Sequence, residues 1–102
     1  MSDAVGFLEV YGLTAALVAV DAACKAAHVT IEALDNNRPF QPTPVPLIVL
    51  IKMRGSVEDV KAGIEAGANA AEKVSGVIST HVIARPMDEI QPLLKINCIK
   101  KK

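Results

Sequence analysis

Few side chains in this 102-residue chain could do covalent or ligating chemistry. Two histidines, His28 and His81, and two cysteines, Cys24 and Cys98, are its soft or general-base groups. A metal site needs several ligands converging at fixed spacing, and neither histidine has a second ligand at a useful distance along the chain. His81 alternates with apolar strand residues and reads as a hydrogen-bonded structural or interface residue. Glu9 and Glu32 offer a pair of carboxylates on two strands, but no nucleophile and no pocket that would raise a pKa accompany them. Gly63 and Gly67 fall inside a helical pattern, whereas a phosphate cradle needs glycines between a strand and a helix. No catalytic residue, metal or cofactor is therefore expected.

The elements that would position these residues follow from the apolar pattern. Ala4 to Val10 reads as a strand buried on one face. Gly12 marks a turn, and Thr14 is placed to cap a helix over Ala15 to Ala27. That helix carries Leu17, Val18, Val20, Ala22, Ala23 and Cys24 as apolar positions, with Cys24 in the role of a small buried hydrophobe. Asp21 and Lys25, four apart, can pair on its surface, and His28 lies near its C-terminal end. Val29 to Leu34 is a second strand. The stretch from Asp35 to Pro46 holds four of the six prolines, which cannot donate to a sheet ladder, so it is expected as a long loop.

Leu47 to Met53 is a nearly unbroken apolar run and reads as a central strand. It enters the turn Arg54-Gly55, after which Ser56 and Asp59 form a relative of the capping box and open a second helix. Val57, Val60, Ile64, Gly67, Ala68, Ala71 and Val74 recur at helical spacing there. Gly63 and Gly67 each cost roughly 1 kcal/mol of propensity, which implies close helix-sheet contact. Gly76 is expected as a left-handed cap, Val77 to Ala84 as a fourth strand and Asp88 to Lys95 as a short final helix. The order predicts an α+β fold of the ferredoxin-like βαββαβ kind: a four-stranded antiparallel sheet with two helices on one face.

The composition sets further bounds. The chain is 51% hydrophobic but only 3% aromatic, so its core must be thin and closely spaced, with apolar surface left for a subunit interface. A formal net charge of zero argues against nucleic-acid binding. No stretch is long enough to span a bilayer, no secretory leader is apparent and the cysteines read as reduced thiols, so a soluble cytoplasmic protein is expected. Residues 1–95 read as a single domain and 96–102 as a basic tail. Lys100-Lys101-Lys102 suits either solvation or docking to an acidic partner.

Four segments then carry a resemblance. Val5-Gly6-Phe7-Leu8-Glu9-Val10-Tyr11-Gly12-Leu13-Thr14-Ala15-Ala16 is similar to the opening of bacterial microcompartment shell proteins of the single-domain, hexamer-forming type. Asp21-Ala22-Ala23-Cys24-Lys25-Ala26-Ala27-His28-Val29 resembles that family's first helix with its interface lysine. Arg54-Gly55-Ser56-Val57-Glu58-Asp59-Val60 is similar to its Arg-Gly-Asp-Val segment, and His81-Val82-Ile83-Ala84-Arg85-Pro86 to its closing His-Val-Ile-Pro-Arg-Pro. The match covers about Ala4 to Leu94 in unpermuted order.

The resemblance implies a structural subunit forming homohexamers that tile, with other shell proteins, around enclosed enzymes. It places Lys25, His28, Arg85 and Pro86 at the hexamer edge. It also places the loop after the second strand at the symmetry axis as a pore, here Asn36, Asn37, Arg38, Pro39, Phe40 and Gln41. This loop departs from the short Gly-Ser-Gly loop of relatives. Six copies of Arg38 would make a positive ring attractive to anions, and Phe40 either plugs the opening or packs on the sheet. The loop is similar to that of a subgroup associated with glycyl-radical-enzyme compartments. The rival reading is a small-molecule-sensing regulatory domain whose long loop closes over a metabolite. An acylphosphatase-like enzyme would need an arginine between Val10 and Thr14, and an RNA-binding sheet would need aromatics between Leu47 and Met53; both are missing.

Overall fold

The computed structural model describes residues 3–38 and 46–97. Its elements run β1 (Ala4–Tyr11), α1 (Leu13–Ala26), β2 (Thr30–Asn37), β3 (Ile48–Gly55), α2 (Val57–Glu72) and β4 (Val77–Ile83). A 3-10 turn (Asp88–Ile90) and the single-turn α3 (Gln91–Leu94) follow. The strands form one sheet in the order β2-β3-β1-β4, and every neighbouring pair is antiparallel. This is the ferredoxin-like arrangement, with α1 and α2 against one face.

Alternation in β1 sends Gly6, Leu8 and Val10 toward the helices, opposite Met53, Ile51 and Val49 of β3. These residues, apart from Gly6, form the core with Ala15, Ala16, Ala19 and Ala23 of α1 and Val60, Ile64 and Ala71 of α2. The helices approach closely because glycine and alanine line the contact. A methyl on Gly67 would stand 3.0 Å from Leu8 Cδ2 and 3.1 Å from the Ala19 carbonyl oxygen. One on Gly6 would stand 2.5 Å from Val60 Cγ1. Gly67 thus serves helix-helix as well as helix-sheet contact.

Several details differ from expectation. Helix α1 starts at Leu13 after Gly12, whose φ of 88° is open to glycine, and no side chain caps it, so Thr14 sits inside the first turn. The buried stripe of α1 is alanine, while Leu17 and Val18 are 54% and 39% exposed and Cys24 is exposed as well. Strand β2 runs on to Asn37, pairing Asn36 with Val49 and Asn37 with Ile48, so these two residues belong to the ladder and not to the loop. Helix α2 ends at Glu72 with Lys73 at its cap, and Gly76 has a near-extended φ of 158° in place of a left-handed cap. Val74 is exposed.

Candidate assembly surfaces and pore segment

The expected site residues separate into two ends of the sandwich. At one end meet the start of β1, the end of β3 and the end of β4, through the pairs Ala4 with Gly55 and Val5 with Ile83. Thr30 opposite Arg54 brings the start of β2 there too, and with it the C-terminal end of α1. Lys25, His28, Arg85 and Pro86 all belong to this end. The opposite end gathers Tyr11, Ile48 and Asn37, the residue before Arg38. An eight-residue strand separates the two by roughly 23 Å.

Lys25 is exposed on the last turn of α1, with its ammonium 2.8 Å from Asp21 Oδ2. The hydrogen bond that the Lys25 ammonium donates to the Asp21 carboxylate, and then that carboxylate's charge, raise the Lys25 pKa above the ordinary lysine value. The sign follows: the pair's contribution is complete below the usual lysine pKa and is lost as pH rises through the raised one. His28 lies two residues beyond α1, exposed, and its backbone N–H donates to Asp59 Oδ1 at 3.4 Å. Asp59 is held in turn: its N–H donates to Ser56 Oγ at 3.1 Å, and its Oδ2 accepts from that hydroxyl at 2.9 Å. The expected capping pair is present, and its carboxylate reaches the α1–β2 connection where a capping box would return to the Ser56 N–H. Gly55 fits beneath, since a methyl there would lie 2.9 Å from the His28 carbonyl oxygen.

Arg85 is exposed and Pro86 buried, just past β4. Helix α1 lies over β3 and β1, and β2 and β4 are the two edges of the sheet. Lys25 and Arg85 thus share an end of the molecule but belong to different sides of it.

At the other end, Arg38 is exposed, and its N–H donates to Asn37 Oδ1 at 2.8 Å. Beside it a shallow depression of about 130 Å³ is lined by Glu9, Asp35, Asn36, Asn37, Ile48 and Leu50. Pro39, Phe40 and Gln41 lie outside the described residues, as do Cys98 and the lysine tail. The carboxylates Glu9 and Glu32 do not pair: β3 stands between their strands, Glu32 falls at the register shift of β2, and Glu9 accepts from the Ser79 hydroxyl at 2.7 Å. His81 is exposed on β4 opposite Phe7. Among the described residues no group of three or more His, Cys, Asp or Glu side chains is placed to hold a metal, and no helix is long and apolar enough to cross a membrane.

One polar residue escaped the sequence reading. Lys52 lies in the middle of β3, 5% exposed, with its ammonium among the carbonyls of the C-terminal segment. The signal was a lone charge inside the run Leu47 to Met53.

Fold and surfaces define an α+β domain with small-residue helix packing and an exposed, partly apolar α1. Residues 4–86 match the BMC domain, and the chain belongs to the BMC-domain family. It is 39% identical over 101 residues to the carboxysome shell protein CcmK2 of Synechocystis sp., covering 94% of this chain and 88% of that one. It is 38% identical over 92 residues to the bacterial microcompartment shell protein PduA of Citrobacter freundii, covering 90% and 91%. A crystal structure of a microcompartment protein from Desulfitobacterium hafniense matches the fold with a TM-score of 0.73 at 18% identity. All of this chain is covered there, and it spans about half, 52%, of that longer chain.

Proposed function

We propose that this chain is a structural subunit of a bacterial microcompartment shell, assembling as cyclic hexamers that tile edge to edge with copies of themselves and with other shell proteins. The observation that carries the reading is identity of 37 to 39% to shell proteins over nine-tenths of the chain. The regulatory-domain alternative has no support among these relatives, and the role is structural, not catalytic.

In this reading Lys25, His28, Arg85 and Pro86 form the hexamer edge, where the Lys25 stem lies along a neighbour and its tip reaches a carbonyl. Its position on the exposed last turn of α1, at the same end as Arg85, supports that role. The segment from Asn36 to Gln41 gathers at the axis, with Asn36 and Asn37 as the strand mouth and Arg38 as the charged rim. The proline-rich loop supports placement in a glycyl-radical-enzyme compartment, with those enzymes as enclosed partners. Residues 1–95 act as the shell domain and 96–102 as its tail, the first two tail residues, Ile96 and Asn97, still hydrogen-bonded to the sheet.

Sedimentation of the full chain followed by electron microscopy of concentrated protein tests the assembly. A mass near six chains and ordered layers are expected, and a monomer at high concentration would overturn it. Copurification of a glycyl-radical enzyme with shells from the native host tests the compartment, and shells carrying none would remove that placement.

A further inference from the structure

Part of the sheet face away from α1 and α2, around Val5, Ala33 and Lys52, is covered. By register Val5, Ala33, Lys52 and Arg54 belong to that face, yet Val5, Ala33 and Lys52 are 0%, 3% and 5% exposed. The segment from Pro86 to Asn97 reaches across it. A lysine is almost never this buried unless its charge is paired, because an ammonium taken from water without partners is strongly disfavoured. Here Lys52 Nζ donates to the Ile96 carbonyl at 3.0 Å, to the Leu93 carbonyl at 3.4 Å and to Asp35 Oδ2 at 3.5 Å. Two of its partners belong to the C-terminal segment, and the third stands near the end of β2.

The remaining links are of the same kind. Arg54 Nη1 donates to Gln91 Oε1 at 2.9 Å, and Gln91 Nε2 donates to the Pro86 carbonyl at 3.3 Å. The Leu34 N–H donates to Asn97 Oδ1 at 3.2 Å. Apolar attachment rests on two buried residues, Pro86 and Leu94, while Leu93 and Ile96 are 58% and 48% exposed. A segment held chiefly by polar links, with few buried apolar contacts, opens at lower free energy than the sheet beneath it.

We propose that Lys52 is the latch of a C-terminal strap, Pro86 to Asn97, and that through Asp35 the same ammonium fixes the end of β2 from which Arg38 departs. Closing the strap and setting the root of that loop are then one event. Opening it uncovers Val5 and Ala33 and frees the last residues of β2. The inference stands on contacts within one chain and does not require the hexamer.

Lys52→Met keeps the length of the side chain and removes its charge. In the full-length Lys52→Met chain, tryptic cleavage after Lys95 and amide exchange at Leu34 and at Asp35 to Asn37 should all rise by roughly tenfold, as expected for loss of a charged hydrogen-bond donor. Exchange at Leu8 and Ile51 should hold. Unchanged cleavage and exchange in a folded variant would assign the hold to Leu94 and Pro86 and overturn the latch. Faster cleavage after Lys95 with unchanged Asp35 to Asn37 would overturn the coupling to β2. If the variant does not fold, native-state exchange of the unaltered chain in low urea decides the matter. The strap, Leu34 and Asp35 to Asn37 should then share one opening below that of Ile51, and separate openings would refute the proposal.

Discussion

Lys25 has its charge at one end of α1, paired within its own helix to Asp21 and otherwise facing outward. An exposed pair at this spacing adds little to the stability of one chain, so the side chain is dispensable for folding. On the proposed assembly, Lys25→Ala should leave a folded hexamer while impairing the layers seen by electron microscopy; unchanged layers would remove Lys25 from the edge. Ser56 acts inside the chain, where its hydroxyl caps α2 and steadies Asp59. Ser56→Ala should cost about 1 kcal/mol in urea unfolding. The Ser56–Asp59 cap was legible from two residue types at the right spacing. Thr14 was misleading because Gly12, with its positive φ, lets the helix begin two residues earlier.

The elements themselves followed from periodicity, but the exposure of Cys24 on α1 did not. Alanine lines the side of α1 toward α2, and Leu17 and Val18 lie outward. With Gly67 against the Ala19 carbonyl, alanine fills the fully buried stripe of α1 and Val20 packs at its margin. The same closeness predicts that Gly67→Val and Gly6→Ala each lose about 1–3 kcal/mol of stability by overpacking, measurable by chemical denaturation. Stability equal to that of the unaltered chain would mean that the helices can move apart without penalty. Strand β2 was read short because Asp35-Asn36-Asn37 has turn composition. Pairing with Leu50, Val49 and Ile48 of the neighbouring strand overrides that local preference. The burial of Lys52 was hidden for a different reason: its ammonium donates to backbone carbonyls some 40 residues distant, which no local pattern encodes.

For the whole molecule, a thin alanine-faced sandwich with leftover apolar surface on α1 suits a subunit whose neighbours complete it. On the proposed assembly, Arg38→Gln should slow the passage of anions through a layer relative to neutral solutes of equal size. Equal permeability before and after would withdraw the axial role of the loop. The proposed tiling residues and the start of the proposed pore segment stand at opposite ends of the strands, about 23 Å apart along the sheet. Such separation makes the subunit modular for an engineer: a foreign gate spliced between Arg38 and Pro46 would retune the traffic of the wall while its joints stay as they were.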